Sequence, residues 1–145
     1  MFDLFEGVAI MAVINDTRPS AAAAQPNPRV PLHTEEEMDQ VKRYVLLGVT
    51  LRILDHDIRA VAASGMKLPR LYESMLRGVQ DRVLLEMAAI RRQFRSRGIK
   101  IYEERRESDG LSAQYICRGY HHRFFMLWTF VKAESERLLR SYLAH

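Results

Sequence analysis

"CRGYHHRFFMLW", Cys117 to Trp128, gathers the chain's single cysteine, two adjacent histidines, two arginines and four aromatics into twelve residues. Two chemistries suit those residue types. A thiolate at Cys117, its pKa lowered by Arg118 and with His121 as base, would make a nucleophile. Histidine clusters hold zinc and related ions, and Asp55-His56-Asp57 offers a second such cluster.

Spacing argues against the metal. On a helix the useful ligand pair stands about four residues apart, whereas neighbours such as His121 and His122 point roughly 100° from each other. Four residues beyond them are Phe125 and Met126, which are not ligands, and the Asp-His-Asp run has the same adjacency problem. No metal and no cofactor is expected. Cys117 shares a strand face with Leu111, Ala113 and Tyr115, and a cysteine in such a row behaves as a small buried hydrophobe. No glycine-rich phosphate loop, Ser-His-Asp order or carboxylate pair appears. No catalytic residue is assigned, and a thiol-dependent enzyme is the least favoured of the functions considered.

Those residues depend on elements legible in the pattern. Thr34 caps a first helix over about 34–63, with Glu37 completing a capping box, and Tyr44, Leu47, Leu51, Leu54, Ile58 and Val61 recur at helical spacing until Ser64-Gly65. Pro69 opens a second helix, about 69–97, whose stripe of Tyr72, Met75, Leu76, Val79, Val83, Met87, Ile90 and Phe94 runs to Gly98. The short connection makes the two antiparallel. The period then drops to two around Asp109-Gly110, which predicts a β-hairpin at about 99–118. Gly119 reads as a strand-to-helix corner, and Tyr120, Phe124, Leu127, Val131, Leu138 and Tyr142 as the stripe of a third helix over 120–143. The expected fold is mainly α with a small hairpin, in the order α-α-β-β-α, its three long helices forming a bundle.

The 145 residues suit one domain, and 48% hydrophobic with 28% charged residues is an ordinary globular composition. Residues 15–33 hold four prolines among small residues, a composition too poor in apolar surface to offset its ordering entropy. Residues 1–33 are read as a flexible extension and 34–145 as a single helical domain. No run approaches the roughly 18 apolar residues of a membrane span. The lone cysteine and the acidic start, Asp3 and Glu6 before any basic residue, predict a reducing cytoplasm.

With "GIKIYEE", "YICRGYHHRFFMLW" and "VKAESERLLRSYL" in that order, residues 34 to 143 resemble a family of small uncharacterised proteins of Bacillus-like bacteria. Their shared features are a glycine-isoleucine-lysine hairpin and an arginine-glycine-tyrosine corner. The resemblance implies this organisation and a bacterial cytoplasmic setting, and it brings no catalytic residue.

Two functions from different classes follow. Tyr120, Phe125, Trp128 and Phe130 exceed what one core-facing stripe can use, so an apolar face of the third helix is expected to form a subunit or partner interface. That makes the protein a non-enzymatic interaction or regulatory module that self-associates or binds a protein partner. Charge supplies the alternative. Residues 66–100 carry nine Lys or Arg against three Asp or Glu, more than the whole chain's +4. Arg91, Arg92, Arg95, Arg97 and Lys100 form a candidate nucleic-acid patch that would neutralise phosphates. Complementing a helix C-terminus is the plainer role for the same arginines.

Overall fold

The computed structural model of the chain describes residues 16–19 and 35–144. Of the expected N-terminal extension, only Asp16–Pro19 are described, and they form a short strand, β1. The rest of 1–33 and the cap residue Thr34 lie outside the described residues.

Helix α1, Glu35–Ala62, starts on three glutamates, which suit the positive end of its dipole. Helix α2, Pro69–Arg97, has proline in its first turn and ends on Gly98 in the left-handed conformation (φ 70°), whose N–H donates to the Phe94 carbonyl. Both ranges match the periodicity within a residue. The burial differs from a single stripe. Val41, Val45, Leu46, Leu47, Val49 and Thr50 are all buried, positions spread over more than one face of α1, because its first half runs inside the molecule while Asp55, His56, Asp57, Arg59 and Ala60 of its second half are exposed.

After α2 the chain makes a meander, β2 (Ile99–Arg106), β3 (Gly110–Cys117) and β4 (Tyr120–Leu127), before helix α3 (Trp128–Leu143). The order over residues 35–144 is therefore α-α-β-β-β-α, three helices on an antiparallel sheet and not a three-helix bundle. β1 pairs with β4, giving the sheet order β1-β4-β3-β2. The expected third helix over 120–143 is corrected by this strand. Tyr120 and Phe124 stand four apart, a spacing that serves a period of two as well as one of 3.6. His122, Phe124 and Met126 are buried while His121, Arg123 and Phe125 are more exposed, which is strand alternation.

Two turns organise the meander. Between β2 and β3, Glu107 N–H donates to the Gly110 carbonyl at 2.8 Å. Neither Asp109 nor Gly110 has positive φ, so the loop is not the tight Asp-Gly turn expected. Glycine is needed at 110 for another reason: a Cβ there would collide with the Met126 carbonyl oxygen and stand 2.8 Å from Phe125 Cζ. Between β3 and β4, Arg118 (φ 48°) and Gly119 (φ 91°) are both left-handed, as a two-residue type I′ hairpin loop requires. Gly119 is thus a strand-to-strand turn and not a strand-to-helix corner.

The helices cover one face of the sheet. Leu111, Ala113, Tyr115 and Cys117 of β3 and Phe124 and Met126 of β4 join Val41, Val45 and Leu47 of α1 in one core cluster. On the other face Tyr102 O–H donates to Gln114 Oε1 at 3.0 Å and lies 2.8 Å from His121 Nδ1, a chain of contacts across β2, β3 and β4. The β2–β3 register shifts between Ile101 and Glu103, beside Tyr102, a bulge that adds one residue to β2.

Candidate interaction surfaces

The Cys117 region is a clasp. The left-handed turn swings the Arg118 guanidinium over the start of α1, where its two terminal nitrogens donate to the two Glu37 carboxylate oxygens at 2.8 Å each. Nη1 also donates to the Arg97 carbonyl at 3.1 Å. The start of α1, the end of α2 and the β3–β4 turn are thereby tied at one point. Glu37 is only 4% exposed, so the bidentate pair works in a weakly screened site, and its hydrogen bonds raise the Arg118 pKa.

Beneath the clasp Cys117 is fully buried. Burial pushes its thiol up to about 11; the Glu37 charge adds to the rise and Arg118 opposes it. This is the reverse of an activated thiolate. The histidines part company as strand neighbours do: His121 faces Tyr102 on the outer side, while His122 is buried with its ring stacked 5.0 Å from Tyr115. Among the described residues no three His, Cys, Asp or Glu side chains stand close enough to hold a metal ion.

The basic end of α2 lies beside β2, one of the two edge strands of the sheet. Arg91, Arg95 and Lys100 line a groove of about 290 Å³ whose apolar walls are Tyr44, Phe94, Ile99 and Ile101. Tyr44 and Phe94 meet edge to face at 5.6 Å. The other two members of the predicted patch do not line it. Arg97 turns toward Glu37, 4.0 Å away, and Arg92 is exposed elsewhere on the helix.

The four predicted interface aromatics are not brought together. Tyr120 opens β4 opposite Cys117, whereas Phe125 lies on the outer parity of the same strand, opposite Ser112. Trp128 and Phe130 begin α3 and pack against the core. Trp128 Nε1 donates to the Glu107 carbonyl at 2.8 Å, and the Arg106 guanidinium lies 5.1 Å from the ring centroid. The indole therefore fastens α3 to the β2–β3 loop.

A surface the periodicity missed lies at the distal end of the α1–α2 hairpin. At about 1.5 Å per residue α1 and α2 are some 40 Å long, against about 26 Å for eight-residue strands. The last helix reaches only to mid-α2, where Arg82 Nη1 donates to the Tyr142 carbonyl at 2.6 Å. Beyond that point Met66, Leu68, Leu71, Tyr72 and Met75 are 43% to 58% exposed. Tyr72 and Met75 fit the core stripe by spacing, but the opposing end of α1 offers only Ala60, Val61, Ala62 and Ala63. Such short side chains cannot cover them. The doubled apolar lines on α2, Leu71 and Met75 beside Tyr72 and Leu76, were the available signal. No helix among the described residues is long and apolar enough to cross a membrane.

Residues 32–145 match the model of a family described as YhjD protein. No curated protein and no solved structure matches the chain.

Proposed function

We propose, from the premise that the chain belongs to the YhjD protein family, that it is a non-enzymatic protein-interaction module that docks through the distal end of its α1–α2 hairpin. The observation that carries this reading is the contiguous exposure of Leu68, Leu71, Tyr72 and Met75, each between 43% and 58%. Large apolar side chains grouped on one end of a helix pair mark an interaction site far more often than singly scattered ones. The buried, protonated Cys117 supports a function without thiol chemistry, and a lone cysteine suits a reducing cytoplasm.

The test is a triple variant, Leu68→Gln, Leu71→Gln and Met75→Gln, compared with the parent for melting temperature and for apparent mass in native extract. A docking surface predicts unchanged melting and a loss of mass from the complex. Early melting with no change of mass would assign these residues to the fold and end the reading.

A second reading rests on the groove at Arg91, Arg95 and Lys100, where three cations beside aromatic walls suit an acidic or phosphate-bearing partner. Retention on heparin that falls steeply with salt and is lost in Arg91→Ser/Arg95→Ser supports it; retention unchanged by those substitutions excludes the groove.

A further inference from the structure

Leu68, Leu71, Met75, Gly78, Arg82 and Leu85 follow one another by three, four, three, four and three residues. At 100° per residue the five that lie within α2, Leu71 to Leu85, fall within one arc of about 80°, to the side of the Val79, Val83, Ile90 line that faces the core, and Leu68 stands at the cap just before Pro69. The four apolar members are 58%, 51%, 53% and 71% exposed in sequence order. At Gly78 a Cβ would meet nothing within 4 Å.

The steps alternate between three and four residues, as in a coiled-coil seam, and the series reads the same in either direction. Reversing the helix about the midpoint between Leu76 and Arg77 sets Leu68 opposite Leu85, Leu71 opposite Arg82, and Met75 opposite Gly78. Each layer is complementary in size. Met75, the longest unbranched apolar side chain of the set, meets the position with no side chain and open space around it. The two most exposed leucines of the stripe meet each other, and the aliphatic stem of Arg82 gives Leu71 an apolar contact while its head stays on the Tyr142 carbonyl. A foreign partner would not require this internal match; a second copy does, because a two-fold interface brings the same patch to itself in reverse order.

We propose that α2 pairs antiparallel with α2 of a second copy of this chain, through these three kinds of layer about a two-fold axis near residues 76–77. This rests on the interaction reading above and names its partner. Antiparallel pairing also opposes the two helix dipoles.

The test uses the full chain. Sedimentation across micromolar concentrations is expected to show a monomer–dimer equilibrium, weakened at least tenfold by Met75→Glu with helical content unchanged. Register is read by cysteines, since Cys117 is buried. An oxidised equimolar mixture of Leu68→Cys and Leu85→Cys chains forms a covalent dimer, and Leu68→Cys alone does not, because two such residues would lie about 25 Å apart along the axis. A Leu68→Cys chain that crosslinks to itself as fast as the mixture overturns the antiparallel register. A monomer that dimerises only after Phe2→Ser, Leu4→Ser and Phe5→Ser overturns the pairing and gives the stripe to the chain's own first residues. A purified monomer whose complex in extract is still dissolved by the triple Gln variant overturns self-pairing and leaves the docking reading standing; a monomer with no such complex removes both.

Discussion

The two ends of the α1–α2 hairpin are built on opposite terms. At the proximal end, Glu37 takes two hydrogen bonds from Arg118, Arg97 supplies its carbonyl, and the sheet closes over Val41, Val45, Phe124 and Cys117. At the distal end the turn through Ser64-Gly65 is held by short-range contacts, Ser64 Oγ donating to the Val61 carbonyl at 2.7 Å and accepting from Met66 N–H at 3.3 Å, the helices are tied by an exposed hydrogen bond from Gln80 Nε2 to Asp55 Oδ1 at 2.7 Å, and they present leucines and methionines to solvent. One composition of helix thus serves two purposes, and what separates them is the presence of a sheet on one side. The sheet contacts and the Glu37–Arg118 pair are concentrated proximally, and the face proposed for docking lies outside them.

The largest effect is expected from breaking the proximal clasp. Glu37→Ala leaves Arg118 partly buried without its carboxylate, and removing one partner of a buried pair costs about 3 kcal/mol. For a domain of this size that lowers the melting temperature by roughly 10 °C or more. A loss below about 1 kcal/mol would mean that the ends of α1 and α2 are held by apolar packing alone. Slightly smaller, about 2 to 3 kcal/mol, is the expected cost of Gly110→Ala, since the Cβ would meet the Met126 carbonyl and β4 must shift to admit it. Denaturation of this variant separates overpacking from the turn-conformation argument. A positive-φ turn would accept asparagine in place of glycine, whereas a crowded site rejects both.

How much of this contrast was legible in the sequence depended on which residues marked it. Proline at 69 and glycines at 65 and 98 fixed both helices, because each has a conformational reason to stand where it does. β2 and β3 followed from alternation. β4 did not, since Tyr120, Phe124 and Leu127 satisfy helical spacing and only the burial of His122 and Met126 breaks the tie; polar histidine hides that signal. The clasp was also beyond reach. Glu37 and Arg118 are 81 residues apart, and nothing local in either says that they meet. Of the predicted basic patch, the three residues that share a groove do so because β2 returns beside α2, which the hairpin assignment implied. The four aromatics proposed as one interface are divided between β4 and α3, because the single helix expected over 120–143 is a strand followed by a helix.

Alkaline titration sharpens the comparison at the proximal end alone. The Cys117 thiol is pushed up to about 11 from an ordinary 9.0, so below pH 9 folded and unfolded chains both hold the proton and stability is unaffected. Between 9 and 11 the unfolded chain releases it first, and folding loses about 2 kcal/mol as pH rises. Tyr142, pushed up to about 12 chiefly by burial, acts in the same direction at higher pH. Cys117→Ala should flatten the profile between pH 9 and 10, below the range in which the raised Tyr115 and Tyr142 hydroxyls begin to act, while leaving the distal surface untouched. An identical profile in that variant would show that the thiol is not the group being titrated.

The smallest expected effect is the one that decides whether the distal end is different in kind. Leu71 is 51% exposed and Met75 is 53% exposed, so replacing either by glutamine removes little buried apolar area and keeps a good helix former in place. Each change is expected to alter folding stability by no more than about 0.5 kcal/mol, the range of ordinary surface substitutions. Val79, on the same helix and only 6% exposed, supplies the control: Val79→Gln buries an amide without an assured partner and should cost roughly 1 to 3 kcal/mol. The measurement is urea denaturation at a protein concentration low enough to suppress association, because at high concentration a dimer would stabilise the parent by mass action and make the glutamine variants look defective. If Leu71→Gln costs as much as Val79→Gln at high dilution, the two lines of α2 are both structural and the contrast between the ends disappears. If the difference between parent and variant grows with protein concentration, the leucine acts between chains and not within one.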